Sequence, residues 1–461
     1  MLSFHDPYRL GRRDFLRVGA LSLGGVALPG LDFLRASPET GQSEKSVIFL
    51  FLHGGPSQFE TFDPHPDAPV DIRCANGHIP TALPGVRFAA SFPRLARLAD
   101  KLAIVRSYVP GDANHDIKPV VCKETAGANL GSAFAKMAGG THPATGMPRN
   151  IALFPRAVDP TARPEQTGFG NFTSPGPFGV VSAPFVPGGT GQFQKDMKLA
   201  LPVDRFDDRR SLLTQLDLAK SSLDDAQRAG HDTGREKAYG VLLNGVADAF
   251  DLSREDAKTV GRYDTAPLVN PEAINKKWKN HLMYRDNSQT LGKLLLLARR
   301  LCERGAGFVT VTTNFVWDMH ADENNAPVTE GMGYMAPPLD HALSAFIEDL
   351  EARGLSDKIL LVCCGEMGRT PKINKNGGRD HWGNLGPLLL AGGGLNMGQV
   401  IGQSARNGGE PNSDPVRIKN LVGTVMNTLF DVGKLRVVRG LPREIQQMAE
   451  ADPIPNLLGR A

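Results

Sequence analysis

Five apolar runs, each stopped abruptly by glycine, proline or a cluster of polar residues, constrain this chain more than any other feature. The first, residues 46–52 (SVIFLFL), ends at His53-Gly54-Gly55-Pro56; the others are 102–107, 307–313, 358–364 and 387–391. A short continuous apolar run, as opposed to an alternating one, predicts a strand buried on both faces, as in parallel sheets. Helical patterns lie at 93–99, 288–304 and 339–353. Strands alternating with helices predict an α/β fold, a largely parallel sheet sandwiched between helices. Residues 140–208 are rich in Gly, Pro and Phe and lack periodicity, while 209–304 read as mainly helical. Together, 140–304 is expected as a long irregular and helical insertion within one domain spanning 46–450.

The first residues carry a different message. Gly11-Arg12-Arg13-Asp14-Phe15-Leu16-Arg17 precedes an apolar stretch over 18–31. An arginine pair, Phe-Leu and an apolar run in that order predict a twin-arginine signal over 1–36, recognised by the twin-arginine export machinery. The stretch falls short of the roughly 20 residues that a membrane span needs. A cut near Ala36-Ser37 and an uncleaved anchor are both compatible with it. The expected location is periplasmic or otherwise extracytoplasmic, and export of folded protein favours a metal loaded beforehand. The formal charge of +3, with 22% charged residues, sets up no field toward nucleic acid. Five cysteines do not make a disulfide framework, although a Cys74–Cys122 bridge is conceivable.

In open α/β sheets, ligands gather beyond the carboxyl ends of strands. Here those ends carry His53, Glu60 and Asp63; Asn114-His115-Asp116; Asn314, Asp318, His320 and Asp322; and Glu366, Arg369, Asp380 and His381. Asp318-x-His320 combines carboxylate and imidazole, a donor mix that suits divalent metals. His115 reads as ligand, proton carrier or helix cap. Arg369 offers a planar fork for an oxyanion, or a salt bridge to Glu366 or Asp380. Asp340 reads as a charge at the start of its own helix. No Gly-x-Ser-x-Gly elbow is present, and Gly392-Gly393-Gly394 lacks the Lys-Ser/Thr of a phosphate loop.

Three stretches carry a resemblance: residues 53–63 (HGGPSQFETFD), 317–320 (WDMH), and 365–371 (GEMGRTP) leading to 378–382 (GRDHW). With the arginine pair, they resemble a family of exported bacterial proteins catalogued as a domain of unknown function. That family is grouped with the alkaline phosphatase/sulfatase superfamily. The resemblance spans about residues 10–450 and implies an alkaline phosphatase-like core. It implies metal-assisted hydrolysis or transfer of phosphate or sulfate esters, on a small-molecule or glycan substrate. Asp318, His320, Glu366 and His381 would hold a divalent ion: zinc, manganese, magnesium or calcium. Arg369 would stabilise the transferring group, and His115 would act as acid, base or nucleophile. Relatives end the fourth strand in Asp-His-Gly, where this chain has Glu366-Met367-Gly368. Ser107 and Cys122 lie to either side of the family's nucleophile position. These departures point to a second reading, a catalytically degenerate binding or surface-assembly protein on the same fold.

Overall fold

The computed structural model describes residues 41–188 and 246–459. The arginine-pair segment expected over 1–36, and the part of the helical stretch over 209–245, lie outside the described residues. One seven-stranded sheet organises the rest. Its strands are β1 (Ser46–Phe51), β2 (Leu102–Val105), β3 (Asn150–Leu153), β4 (Phe308–Thr312), β5 (Ile359–Cys364), β6 (Leu388–Gly392) and β7 (Gln399–Ile401). Their spatial order is β7-β2-β6-β5-β1-β4-β3.

All five apolar runs are strands of this sheet. β1 pairs in parallel with β4 and β5, β3 with β4, and β7 with β2. A wholly parallel sheet would set the strands ending near Leu52, Ser107, Thr313 and Cys364 side by side. That holds for three of them. β2 points the same way but is separated from β5 by β6, which is antiparallel to both. The reason is the connection: no helix lies between Cys364 and Leu388, and only a parallel return requires a crossover.

Both faces are covered, which is why the runs are continuously apolar. Val47, Phe49 and Phe51 of β1 pack into a core shared with α2 (Leu130–Ala138), α5 (Ile418–Leu429) and α6 (Arg443–Glu450). Ile48 and Leu50 point the other way, toward α1 (Pro93–Arg97), α3 (His281–Glu303) and α4 (Val328–Ala352). Successive strand side chains alternate faces, and each fully buried aliphatic or Phe contributes roughly 1.5–3 kcal/mol.

α3 and α4 both begin earlier than their apolar periodicity implied. α4 runs straight through Pro337 and Pro338, residues that favour a helix start. Asp340 therefore lies in mid-helix, which corrects its reading as a charge at the start of its own helix. Its carboxylate instead accepts the N–H groups of Arg94 (3.0 Å) and Leu95 (2.8 Å), in the first turn of α1. It caps a neighbouring helix. Within 140–188 the chain is irregular apart from β3 and short turns, and 246–303 is largely helical. Cys74 and Cys122 are not bonded, and all five cysteines are free. Among the described residues, no helix is long and apolar enough to cross a membrane.

Candidate functional site

β1 leaves the sheet through His53-Gly54-Gly55, where both glycines meet a backbone requirement. Gly54 has φ +114° and Gly55 φ +80°, conformations that side chains avoid. A Cβ on Gly54 would stand 2.6 Å from the Asp318 nitrogen and 2.8 Å from that of Trp317. The loop after β1 is thus pressed against the loop after β4. The Gly54 N–H donates to Glu366 Oε1 (2.9 Å) and Oε2 (3.1 Å), tying in the end of β5 as well.

Asp318 is the hub of what these loops bring together. His381 Nε2 lies 3.1 Å from its Oδ1, His115 Nε2 3.4 Å from the same oxygen, and His320 Nε2 2.9 Å from Oδ2. Arg369 Nη2 donates to Oδ1 at 2.7 Å, and Asn325 Nδ2 to Oδ2 at 3.2 Å. Burial pushes the Asp318 carboxyl up. The close imidazoles of His115, His320 and His381, with the Arg369 charge, more than reverse this and hold it far below the usual carboxylate range. Burial likewise pulls His115 down, but its contacts with Asp318 and Glu366 leave its pKa raised. His320 is raised chiefly by its bond to Asp318. One ligand atom from each of His115, Asp318 and His381 lies within 4.8 Å of the others.

Glu366 is fully buried and stands behind this group, its Oε1 3.1 Å from His115 Nδ1. The loop carrying His115 is pinned by Lys118, whose Nζ bonds Asp112 Oδ1 (2.8 Å), Asp116 Oδ1 (3.0 Å) and the Asn114 carbonyl (3.1 Å). An aromatic wall closes one side. Phe169 stacks on Phe315 with centroids 4.6 Å apart, and their rings lie 5.2 and 4.7 Å from that of His115. His53 sits behind Phe315 at 5.0 Å. Burial pulls its pKa down, and its Nε2 has no hydrogen-bond partner among the described residues.

The structure groups the sequence candidates differently from their first reading. His115, expected as acid, base or nucleophile, stands inside the cluster, while Glu366 and His320 flank it. Arg369 pairs with Asp318, not with Glu366 or Asp380. Its Nε donates to the Gly55 carbonyl (2.7 Å) and its Nη1 to that of Arg379 (3.2 Å). At 1% exposure its fork is buried, and it is engaged by Asp318 and by backbone carbonyls.

Other strand-end acids are engaged structurally. Glu60 makes a buried two-point pair with Arg379, both contacts at 2.9 Å. Asp63 meets Arg106 at 3.2 Å and His65 at 3.1 Å. Asp322 accepts the N–H groups of Asn324 and Asn325, and Asp380 accepts from Asn374. Met367 is buried against Gly55. Asn325 and Phe169 went unnoticed in the sequence, since nothing in spacing or periodicity separates them from ordinary loop residues.

A family model described as "Protein of unknown function (DUF1501)" matches residues 44–458. No curated protein matches the sequence. Among solved structures, the chain is similar to the lipoteichoic acid synthase LtaP from Listeria monocytogenes at 10% identity and a TM-score of 0.33, over 94% of this chain and 81% of that one. It is similar to the PsFucS1 sulfatase from Pseudoalteromonas sp. at 11% identity and 0.38, over 99% and 80%. For the phosphonate monoester hydrolase SpPMH from Silicibacter pomeroyi the values are 10% and 0.32, over 83% and 73%. Similarity at this level carries no conclusion about activity.

Proposed function

The chain belongs to the DUF1501 family, and from that premise we propose that it is an exported, metal-dependent hydrolase or transferase of phosphate or sulfate esters. The observation that carries this reading is the convergence of His115, His320 and His381 on the single buried carboxylate of Asp318. Imidazole and carboxylate donors gathered in one buried place are the kind of set a divalent ion takes.

The donors fit an ion. Carboxylate plus imidazole is a zinc-type set, and imidazole disfavours magnesium and calcium. The buried His115 Nε2 lacks a hydrogen-bond partner of good geometry among the described residues, as a ligating nitrogen would without its ion. His115, Asp318 and His381 would hold the metal. Glu366 fixes His115 through Nδ1 and so presents Nε2, the usual carboxylate–histidine arrangement behind a metal ligand. Arg369 positions Asp318, and His320 braces its second oxygen. When bound, a divalent ion would polarise the ester and lower the pKa of a water. The ester class rests on the motif resemblance.

The test begins with metal content. Protein recovered from the periplasm is expected to carry about one first-row ion per chain and to hydrolyse p-nitrophenyl phosphate or sulfate. Protein that takes up no metal, even on reconstitution, would overturn the reading. Metal-loaded protein inactive on both esters would favour the non-catalytic binding protein. Export has its own test. Arg12→Lys with Arg13→Lys should strand the precursor in the cytoplasm, because the pair is read by a receptor; unimpaired export of the double variant would defeat that assignment.

A further inference from the structure

A cavity lies at the end of the sheet opposite the Asp318 cluster. It has a volume of about 420 Å³ and is lined by Lys45, Phe134, His142, Arg149, Cys302 and Gly305, among others. These residues precede or flank the amino ends of β1, β3 and β4. β1 and β4, which lead to the Asp318 cluster, are six and five residues long at about 3.3 Å per residue, so the cavity lies roughly 16–20 Å from that cluster.

Its distinguishing feature is Arg149, only 4% exposed. Its backbone is engaged: the N–H donates to the Gly140 carbonyl, and its own carbonyl accepts from Gly307 and Phe308. Its guanidinium makes no hydrogen bond or ion pair with any described residue, and its Nε is sealed without an acceptor. The Phe134 ring lies under it, 6.0 Å from Cζ to centroid. Burial pulls its pKa down, with no carboxylate to offset the effect. Every other buried arginine among the described residues has an acceptor: Arg299, Arg369 and Arg379 each pair with an acid. A buried charge left without a counter-charge is strongly destabilising.

His142 adds a donor. Its Nδ1 accepts the Thr145 N–H at 3.2 Å, so the ring proton resides on Nε2. The ring is held against Gly305, where a Cβ would come within 2.7 Å of it. Lys45 anchors one Nζ proton on the Gly393 carbonyl (2.7 Å) and keeps two others. Among the described residues lining the cavity, Glu44 is the one acid, and it makes no ion pair with Arg149.

We propose that this cavity is a ligand site for a small carboxylate- or phosphate-bearing anion, with the Arg149 fork as its principal contact. A guanidinium matches such groups through two parallel N–H bonds. The site is separate from the Asp318 cluster and stands whether or not that cluster holds a metal.

The experiment is calorimetric titration of the full chain with inorganic phosphate and, separately, with citrate. Asp318→Asn serves as background, to remove anion binding at the metal side. A site is expected that survives Asp318→Asn, and whose affinity falls about tenfold or more in Arg149→Met, the usual range for losing charge-assisted hydrogen bonds. Arg149→Lys keeps the charge without the fork and should fall between. It also serves if Arg149→Met does not fold. The phosphate and citrate arms decide which anion is preferred. Binding of neither, or binding unchanged by both Arg149 variants, would overturn the proposal.

Discussion

Asp318→Ala is expected to abolish metal uptake and to destabilise the fold by about 3–5 kcal/mol, the range for removing one partner of a buried ion pair. The variant leaves Arg369 charged and buried with only backbone carbonyls around it, and strips three imidazoles of their shared acceptor. Urea unfolding of metal-free protein would read the loss, and elemental analysis the metal. A double variant, Asp318→Ala with Arg369→Met, should recover part of the stability, because the stranded charge goes too. An Asp318→Ala protein with an unchanged midpoint and full metal content would refute the hub role.

The pH dependence of that difference has a definite sign. The Asp318 carboxyl is depressed in the fold. Its contribution is therefore complete above the unfolded value, about 3.9, and is lost as pH falls toward the folded one. His115 and His320 are raised. Their contribution is complete below about 6.5 and is lost as pH rises through their folded values. In metal-free protein, the gap between wild type and Asp318→Ala should be widest from about pH 4 to 6.5 and narrow on either side.

Gly54→Ala should be nearly as damaging, for a geometric reason. The new Cβ meets backbone atoms of Trp317 and Asp318, which no rotamer change can move aside. Relief requires parting the loops after β1 and β4, which also pulls the Gly54 N–H away from Glu366. Several kcal/mol and most of the metal affinity should go together. Gly77→Ala is the control. It too has positive φ, +77°, but its Cβ would meet nothing within 4 Å, so only the conformational cost of roughly 1–2 kcal/mol applies. Equal losses in the two variants would show that φ strain alone, and not the close approach, governs Gly54.

The layered architecture was legible in the sequence because burial on both faces demands unbroken apolar runs, and nothing else in a globular domain demands them so consistently. The strand-end rule likewise pointed to Asp318, His320, Glu366, His381 and His115 without a structure. β3 escaped notice: four residues, Asn150–Leu153, inside a stretch rich in glycine and proline form too short a run to stand out. The direction of β6 was equally hidden, since an apolar run reads the same whichever way the strand points. Sequence could not rank the acids either. Glu60, Asp63, Asp318 and Asp322 are chemically alike and follow strands alike. What separates them is which partner reaches each one: Arg379 engages Glu60 and Arg106 engages Asp63, while Asp322 closes its own turn. Asp318 alone receives three imidazoles. Those pairings join residues as far as 319 positions apart in the chain. Strand order and the close approach of Gly54 determine them, and both are properties of the packed sheet that no local pattern encodes.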